Sequence, residues 1–584
     1  MLLSATLVVL LAIVGSEAAV NQTQTVPLQL SENAGADWEG QFCFQLAQPI
    51  LAFEVVIKFN VGIKNVKNWL GTWLENEPCS QEWRLVNSDI HGLHSVGQFC
   101  VRVAGTMCDT ADPSGTGTLV DLTGDSQVPP VPPTVAGAQQ TKYNYAEVLQ
   151  KSILFYEAQR SGKLPASNRI PWRGDSALQD RGDKGEDLTG GWYDAGDNVK
   201  FNFPMAFSTT MLCWSLLEFK DAYEKAGQLD YMYDSIRWPL EYFIKCHTGP
   251  NELYVQVGSG ELDHAVWTSP ERMNPKRPAY KIDALHPGSD VADETAAAMA
   301  CGYLAFKDKD PAFATSLLTH SKQLYTFAKT HHGFYSDSVA DAANFYKSYN
   351  YTDELVWGAA WMYKATGDVS YLRDAEARYQ SWPAWGFSWD EKQFGNQILL
   401  YELTSKDVYK QEIISTMTSW TKAGGMTYTP KCLAWRLEWG SLRYAANHAA
   451  MALVAAKKGL NADQYRHWAM CQIHYILGDT GRSYVVGFGV NPPSRPHHRG
   501  GSCPLLPAPC SWEAQRFNGP NPHVLYGAMV GGPGANDDYE DERMDYTHNE
   551  VACDYNAGLQ FAAAALMQLA LDHQLPDSAT CGTC

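Results

Sequence analysis

Two acids stand three positions apart in the stretch GGWYDAGDNVKFNFP, which runs from Gly190 to Pro204. Asp194 and Asp197 in this glycine-rich setting fit a tight turn, a metal-binding loop, or one half of an acid/base pair. Because the two acids are close neighbours in sequence, they would lie on the same side of a site. A reaction that needs two separated carboxyl groups therefore requires a partner from elsewhere in the chain.

A second acid-rich stretch, DDYEDERMDYTHNEVACDYNAG at 537–558, leads into an apolar helical pattern. Glu550 stands near the predicted start of that helix, where the helix dipole favours an acid without any catalytic role. The clustered acids also fit a solvated loop or a calcium-binding loop. Glu550 is nevertheless a candidate for the separate carboxyl group that the first stretch requires.

The stretch SYVVGFGVNPPSRPHHRG at 483–500 places two histidines and two arginines in a proline-restrained turn. Metal binding by His497 and His498 is one interpretation, but adjacent side chains rarely converge on one ion. The neighbouring Arg495 and Arg499 would also repel a cation. We interpret these side chains as hydrogen-bond donors for hydroxyl groups.

These motifs lie in irregular segments between a dozen helical patterns. Apolar residues recur at i, i+3 and i+4 in most of them, and several are apolar nearly all round, which is typical of inner helices. The fixed repeat of an α-solenoid is missing, so we predict a closed all-α barrel with a cleft on its loop face. The patterns span 146–159, 206–226, 231–246, 293–307, 311–330, 353–367, 370–380, 394–403, 408–423, 441–458, 462–478 and 550–571.

A Pro- and Gly-rich segment at 123–142 predicts an extended linker between two parts of different composition. Residues 20–122 contain short runs of strand length, such as FCFQL and AFEVVIKF, which predict a small antiparallel β-sandwich. Residues 143–584 carry the helical patterns. The predicted fold is an all-β sandwich domain followed by an all-α barrel domain.

The first 19 residues combine an apolar run with small residues and predict a secretory signal peptide, with a membrane anchor as the alternative. Fourteen cysteines fit a secreted protein with disulfides inside each part, and Cys581 with Cys584 predicts a terminal disulfide. The net charge of −19 disfavours nucleic acid or an anionic membrane as a partner. We expect a secreted, extracellular monomer that acts on a neutral substrate.

The helical part resembles glycoside hydrolase family 9 from Tyr143 onward. Three separately placed motifs carry this resemblance: GGWYDAGDNVKF, the histidine signature SYVVGFGVNPPSRPHHR and the acidic signature YEDERMDYTHNEVACDYNA. It implies an (α/α)6 barrel with endo-β-1,4-glucanase activity and inversion at the anomeric carbon. The first part resembles a carbohydrate-binding module of family 2 through W-x-G-x-F, IKFNVGIKNVKNW and GQFCVRV. That similarity implies tethering to cellulose or a related polysaccharide.

The resemblance implies that Asp197 is the general base, that Asp194 holds the attacking water, and that Glu550 is the general acid. An inverting glycosidase needs acid and base about 6.5–9.5 Å apart so that water fits between sugar and base. A helix start would lower the pKa of Glu550, whereas a general acid at neutral pH needs a raised pKa. Tyr546 and Tyr555, a bound sugar and nearby negative charge are candidates for raising it.

The resemblance also assigns supporting roles. It places Asp541 and His497 with the catalytic residues. Asp541 is expected to orient hydrogen-bond donors. His497 and Arg499 are expected to form hydrogen bonds with sugar hydroxyls. Substrate binding is further assigned, in each case against the alternative of core packing, to His264, Trp267, Trp389 and Tyr555 in the barrel and to Trp38 and Trp69 in the sandwich, where Trp83 is either a third platform or a core residue.

The motif PGSDVADETAAA fits two interpretations. It is a helix cap followed by first-turn acids, or it supplies oxygen ligands to a structural calcium ion, which some members of the family bind here. The calcium interpretation uses Ser289, Asp290, Asp293, Glu294 and, from a later loop, Asp337. We expect no cofactor for the chemistry itself.

Two further functions remain as alternatives to a cellulase acting on cellulose and related β-glucans. One is a non-catalytic polysaccharide-binding protein, which would have no need to keep Asp194, Asp197 and Glu550 together. The other is a related enzyme that prefers mixed-linkage glucan, glucomannan or xylan.

Overall fold

The computed structural model describes residues 23–34, 36–47, 50, 52–74, 76–87, 94–109, 111–123, 129–274, 277–579, 581–582 and 584. The predicted signal peptide lies outside these residues. Two compact units make up the chain, one of strands and one of helices. A search of the described residues finds no helix with the length and apolar character needed to cross a membrane.

The first unit is an antiparallel β-sandwich, as the sequence predicts. Its longest strand, β4, pairs with β6 and β8 along its first half and with β7 along its second half, and so belongs to both layers. The path β1-β8-β4-β7-β3-β2 is extended by β6 and β5 beside β4. The strands are β1 Thr23–Pro27, β2 Gln29–Ala34, β3 Asp37–Leu46, β4 Phe53–Asn68, β5 Gly71–Trp73, β6 Ser80–Asn87, β7 Gly97–Met107 and β8 Gly115–Asp121.

The core of the sandwich corrects one predicted binding residue. Alternate side chains of β3 point inward, and Trp38 has the same parity as Phe42 and Phe44. Trp38 is 3% exposed and packs edge-on against Phe59, with ring centroids 5.2 Å apart. The prediction that Trp38 stacks on polysaccharide is therefore wrong, and Trp83, also buried, is a core residue.

Trp69 lies on the outside of the sandwich, immediately after β4. Its side chain is 64% exposed, and the Arg102 guanidinium stands 5.6 Å from the ring centroid. Arg102 in turn forms an ion pair with Glu39 on β3. Trp69 is thus an accessible aromatic surface whose orientation is supported by a neighbouring strand.

The second unit contains twelve helices of ten or more residues in the part of the chain that the structure describes. All twelve predicted helical patterns correspond to one of them, with ends that differ by a few residues. The helices are α1 Tyr145–Ala158, α2 Asn202–Glu218, α3 Leu229–Cys246, α4 Ser289–Phe306, α5 Pro311–Thr330, α6 Thr352–Thr366, α7 Val369–Arg378, α8 Gln393–Thr404, α9 Asp407–Ser419, α10 Ser441–Lys457, α11 Ala462–His474 and α12 Cys553–Leu571.

These helices form an (α/α)6 barrel. Helices α2, α4, α6, α8, α10 and α12 contact one another in that order, and α12 returns to α2, which closes an inner ring. Each odd-numbered helix packs against a neighbouring inner one and forms the outer ring. The inner helices are buried over most of their surface, in agreement with patterns that are apolar nearly all round.

Shorter elements occupy the connections between these helices. Two residues at Lys200–Phe201 pair with Glu252–Val257, which pairs with Ala279–Asp283 in a small antiparallel sheet. Short helices lie at Lys220–Lys225, Gly260–His264, Tyr335–Ser338, Arg499–Ser502, Trp512–Arg516 and Tyr546–Asn549, with 3-10 turns at Pro270–Arg272 and Ala342–Asn344 and a π-turn at Tyr475–Asp479.

Disulfides form within each unit, as the sequence predicts. The sandwich contains two and the helical unit four among the described residues, and Cys246 and Cys553 are free and buried. Cys581 and Cys584 do not bond to each other, because each reaches a partner elsewhere in the helical unit. The pairs are Cys43–Cys100, Cys79–Cys108, Cys213–Cys301, Cys432–Cys584, Cys471–Cys581 and Cys503–Cys510.

Candidate active site

Loops between the barrel helices enclose a cavity of about 610 Å³. Both acidic motifs and the histidine motif contribute to it, although they lie far apart in sequence. The cavity therefore brings together the carboxyl groups from separate parts of the chain, as the sequence predicts. The predicted residues in its lining are Asp194, Asp197, His264, Trp267, Trp389, His497, Arg499, Glu550 and Tyr555.

Glycines give the loop of the first motif its shape. Gly190 and Gly191 adopt positive φ angles of 98° and 75°, which other residues rarely tolerate. At Gly196 a β-carbon would stand only 2.1 Å from the carbonyl oxygen of His497. This close approach lets the Arg499 amide donate to the Gly196 carbonyl at 2.9 Å, so the acid loop and the histidine loop are held together.

Asp194 is buried at the end of this loop. Tyr346 donates its phenolic hydrogen to Oδ2 of Asp194, while Oδ1 has no hydrogen-bond partner among the described residues. Burial, and next the negative charge of Asp197, raises the pKa of Asp194 well above its usual range. Asp194 is thus protonated more readily than an ordinary aspartate.

Asp197 faces a histidine and a second buried acid. Its Oδ1 accepts a hydrogen bond from the Ala195 amide at 3.3 Å, and its Oδ2 is 3.5 Å from Nε2 of His264. The hydrogen bond to Asp197 raises the pKa of His264. Asp263 lies beside this pair, and the three side chains place ligand atoms within 4.8 Å of one another.

Asp263 connects the two loops through charge. Its Oδ2 accepts from Nη1 of Arg499 at 2.6 Å and from the amide of Asn198 at 3.3 Å. Arg499 lies in the cavity lining as predicted, but this ion pair engages part of its guanidinium. Arg499 therefore fixes the loop of Asp197 as well as facing the cavity.

Glu550 occupies a different local position from the one predicted. It follows the short helix Tyr546–Asn549 and precedes α12, which begins at Cys553, so it is not a first-turn acid. Its carboxyl group has no hydrogen-bond or ion-pair partner in the described part of the chain. Although part of its surface is accessible, it lies deep among protein atoms, and this burial, with the charge of Asp197, raises its pKa to about 8.

Backbone hydrogen bonds hold Glu550 against the other two motifs. Its carbonyl accepts from the Gly531 amide at 2.9 Å, and the amide of His497 donates to the Asn549 carbonyl at 2.9 Å. The Cys553 amide, at the start of α12, donates to the Asp194 carbonyl at 2.9 Å. The tension seen in the sequence is resolved, because the helix N-terminus contacts the backbone of Asp194 and not the carboxyl group of Glu550.

The two adjacent histidines diverge. Nδ1 of His497 donates to the Arg543 carbonyl at 2.7 Å, and burial lowers the pKa of His497 to about 4. The ring is therefore neutral at pH 7 and presents Nε2 as an acceptor to the cavity. His498 instead bonds Gln159 and the Gly501 amide, and so stabilises the short helix that follows.

Asp541 does not contact the cavity. Its carboxylate accepts from the amide and hydroxyl of Ser494, both at 2.8 Å, and from the Arg495 amide at 3.1 Å. It braces the turn that leads to His497. The structure thus corrects its placement among the catalytic residues, whereas its expected role of orienting donors agrees with its contacts to Ser494 and Arg495.

The predicted calcium ligands do not assemble into one site within the described residues. Glu294 forms an ion pair with Lys392 at 3.2 Å, and Asp290 accepts from the Tyr335 amide at 3.0 Å. Asp337 is exposed at the surface. The other two predicted ligands, Ser289 and Asp293, are buried, and Ser289 donates to the Ala328 carbonyl. Ser289, Asp290 and Glu294 are engaged by separate protein partners, whereas neither buried carboxylate oxygen of Asp293 has a hydrogen-bond partner in the described residues. A structural calcium ion stays a prediction.

Several cavity residues were not predicted from the sequence. Tyr346 contacts Asp194, and Asp554 is buried with its carboxylate 2.9 Å from Nη1 of Arg443. Trp439 and Trp512 add aromatic surface to the lining. The only sequence signal for the aromatic residues is their position in loops between helical patterns.

A cleft lined by aromatic side chains, with carboxyl groups from two separate motifs, inside an (α/α)6 barrel defines a glycoside hydrolase. The chain belongs to glycosyl hydrolase family 9, whose model matches residues 145–563. This match covers the acidic motifs, the histidine motif and nearly the whole barrel.

Similar proteins include endoglucanases from bacteria and an insect. Endoglucanase A of Bacillus pumilus is 49% identical over 454 residues, which are 74% of this chain and 68% of that protein. The endoglucanase of the termite Nasutitermes takasagoensis is 53% identical, with a TM-score of 0.72 over 74% of this chain and 100% of that chain. A cellulase of C. cellulolyticum in complex with cellobiose is 35% identical, with a TM-score of 0.68 over 73% of this chain and 99% of that chain.

Proposed function

We propose that the protein is a secreted, monomeric endo-β-1,4-glucanase that hydrolyses internal bonds of cellulose with inversion. The observation that carries this proposal is the pairing of Asp197 with a protonated Glu550 in one aromatic-lined cleft. The similar endoglucanases and the cellobiose complex of a relative support a β-glucan substrate. The disulfides support an oxidising, extracellular location.

Glu550 supplies the proton for bond cleavage. With a pKa of about 8, its carboxyl group is protonated at neutral pH, and no described residue competes as an acceptor for its proton. It gives this proton to the glycosidic oxygen as the bond to the anomeric carbon breaks. The negative charge that Glu550 then carries is stabilised by His264 and Arg499, both of which favour its ionised form.

Asp197 activates the water that attacks the anomeric carbon. Asp194 shares this task by holding the water, because Tyr346 fixes one of its oxygens and the other is free of protein partners. Asp197, whose Oδ2 lies 3.5 Å from Nε2 of His264 in the cavity lining, is the base that takes up the proton of this water. The attack from the face opposite the leaving oxygen gives inversion.

The aromatic residues and the neutral His497 bind the sugar rings. Trp389 and Trp439 present flat apolar surfaces to the C–H faces of glucose units, whereas Tyr555, which is 3% exposed, supports the lining and does not stack on a sugar. Nε2 of His497 accepts a hydrogen bond from a sugar hydroxyl. We also propose that the β-sandwich is a carbohydrate-binding module similar to family 2, with Trp69 as its stacking surface.

The viscosity of a carboxymethylcellulose solution tests the enzyme proposal. Wild type should lower it rapidly, and Glu550→Gln should not. No loss with wild type would refute an endoglucanase, and equal loss with both proteins would refute the role of Glu550. NMR of the first product anomer checks inversion, which predicts the α-anomer.

Binding to insoluble cellulose tests the module. We expect Trp69→Ala to weaken adsorption of the full chain and leave hydrolysis of the soluble substrate unchanged. Equal adsorption of Trp69→Ala and wild type would refute the role of Trp69. Comparison of cellulose with mixed-linkage glucan, glucomannan and xylan identifies the preferred polymer.

A further inference from the structure

A buried lysine lies next to the cleft without contacting it. Lys392 immediately precedes α8 and has no exposed surface. Its Nζ lies 3.2 Å from carboxylate oxygens of both Glu294 on α4 and Glu354 on α6. The same ammonium group donates to the carbonyls of Ser388, at 3.0 Å, and of Trp389. One cation thus links two inner helices to a single turn of chain.

The carboxyl partners alone would make Lys392 a charge neutraliser in the barrel interior. Burying an ammonium group is costly, and its attraction to two carboxylates offsets that cost only with good geometry. Its two carbonyl contacts have a different consequence. They fix the backbone of the turn whose second residue, Trp389, lines the cleft.

The ring of Trp389 is part of an aromatic group at the cleft. It stands edge-on to Tyr346, with centroids 4.9 Å apart, and edge-on to Phe203 at 5.7 Å. Tyr346 donates to Asp194. Lys392 therefore holds the backbone of Trp389, and the Trp389 ring contacts Tyr346, which orients the Asp194 carboxyl group.

We propose that Lys392 is a positioning residue for glucan binding, because it fixes the Ser388–Trp389 turn so that the Trp389 ring is ready to stack on a sugar. The proposal rests on the proposed function of the cleft. It differs from a purely structural role in its consequence: loss of Lys392 weakens glucan binding in protein that remains folded.

The test uses Lys392→Met in the inactive Glu550→Gln background. Calorimetry with cellotetraose should give about tenfold weaker binding than the Glu550→Gln parent, a loss of about 1.4 kcal/mol, because the Trp389 ring is no longer held in place. The matched control is Lys364→Met. Lys364 is a half-buried lysine on α6 that pairs with Glu402 at 2.9 Å and does not line the cleft. Its loss should leave the affinity unchanged.

Kinetics separate positioning from general damage. In the active enzyme, Lys392→Met should raise KM for cello-oligosaccharides about tenfold and change kcat much less. Added to Trp389→Ala, it should cost little further, because both variants lose the same contact. A reduced melting temperature with unchanged KM, or fully additive losses with Trp389→Ala, would overturn the proposal.

A charge-balanced variant covers the case in which Lys392→Met fails to fold. Lys392→Met/Glu354→Gln removes one buried carboxylate together with the ammonium, and still leaves the two carbonyls without their donor. Its circular dichroism should match wild type, and its affinity for cellotetraose should fall about tenfold. If this variant folds and binds cellotetraose as tightly as its parent, the proposal for Lys392 is overturned and the proposed function of the cleft is unaffected. If the Glu550→Gln parent itself binds no cello-oligosaccharide, the proposed function fails and this proposal falls with it.

Discussion

Two sets of buried carboxyl groups in the barrel unit both have raised pKa values but differ in their surroundings. In the cleft, Asp194 and Glu550 have raised pKa values and face a cavity. In the lysine cluster, which we define as Lys392 with Glu294, Asp353 and Glu354, the three acids also have raised pKa values. There the Lys392 ammonium group pairs with Glu294 and Glu354, and Asp353 accepts from the Lys392 amide at 2.8 Å. None of the cluster lines the cleft.

The difference shows that a raised pKa does not by itself identify a catalytic acid. Glu354 has an ion-pair partner 3.2 Å away, whereas the carboxyl group of Glu550 has no protein partner in the described residues. Only a carboxyl group that faces open space can transfer its proton to a ligand. The comparison can be tested by making the same acid-to-amide substitution in each of the two sets.

Loss of one carboxylate should lower kcat strongly in the cleft and change it little in the lysine cluster. Asp197→Asn removes the proposed base and should lower kcat on carboxymethylcellulose by about 10²–10⁴-fold. Glu354→Gln, the matched change in the lysine cluster, should leave kcat within about threefold, because this acid touches no substrate. Measurement of reducing ends for both variants decides the point, and similar losses in the two variants would contradict the comparison.

The alkaline limb of the pH profile should report the cleft group. In the proposed mechanism Glu550 acts only in its protonated form, and burial raises its pKa to about 8. The rate should therefore be retained up to that pH and then fall about tenfold for each further pH unit. Initial rates between pH 6 and 10 provide the measurement. A fall centred near the ordinary glutamate value would show that the burial of Glu550 does not control its titration.

The contact of Tyr346 with Asp194 should have an intermediate effect. Tyr346→Phe removes the hydrogen bond that fixes one carboxylate oxygen, and we expect kcat to fall about tenfold. Tyr335→Phe is the matched control, because its buried hydroxyl has no partner in the described residues. Equal kinetic constants for both variants would remove Tyr346 from the water-holding arrangement.

The smallest expected effect is on stability. Because the folded state raises the pKa of Glu550 from about 4.5 to about 8, it binds more protons than the unfolded state between these values. Stability attributable to Glu550 is therefore greatest below about pH 4.5 and is lost as the pH rises to about 8. Glu550→Gln lacks this loss, so its melting temperature should exceed that of wild type by a margin that grows from pH 5 to pH 8. A margin that is constant with pH would argue against the raised pKa.

The sequence predicts the barrel well because its signal is local. Apolar spacing locates all twelve long helices, and the patterns that are apolar nearly all round become the inner ring. The β-sandwich follows from alternating short runs. Trp38 shows where local reasoning ends, since its burial depends on the parity of β3 within the sheet and not on residue type.

The site is predicted only as far as its motifs extend. Asp194, Asp197 and Glu550 belong to long motifs that resemble a known family, and the structure brings all three to the same cavity. Tyr346 and Lys392 have no motif, because their roles arise from contacts between distant segments. The surroundings of the predicted calcium ligands could not be predicted for the same reason: Lys392, far along the chain, is the partner of one of them.

The closed inner ring has a consequence for how the protein is made. Helix α12 completes the ring by packing against both α2 and α10, and Glu550 lies three residues before α12 begins. During synthesis the chain emerges from its N-terminus, so the ring stays open until this last helix leaves the ribosome. Glu550 and Asp197 therefore meet only when this helix has been made, and the nascent chain has no complete cleft before that point.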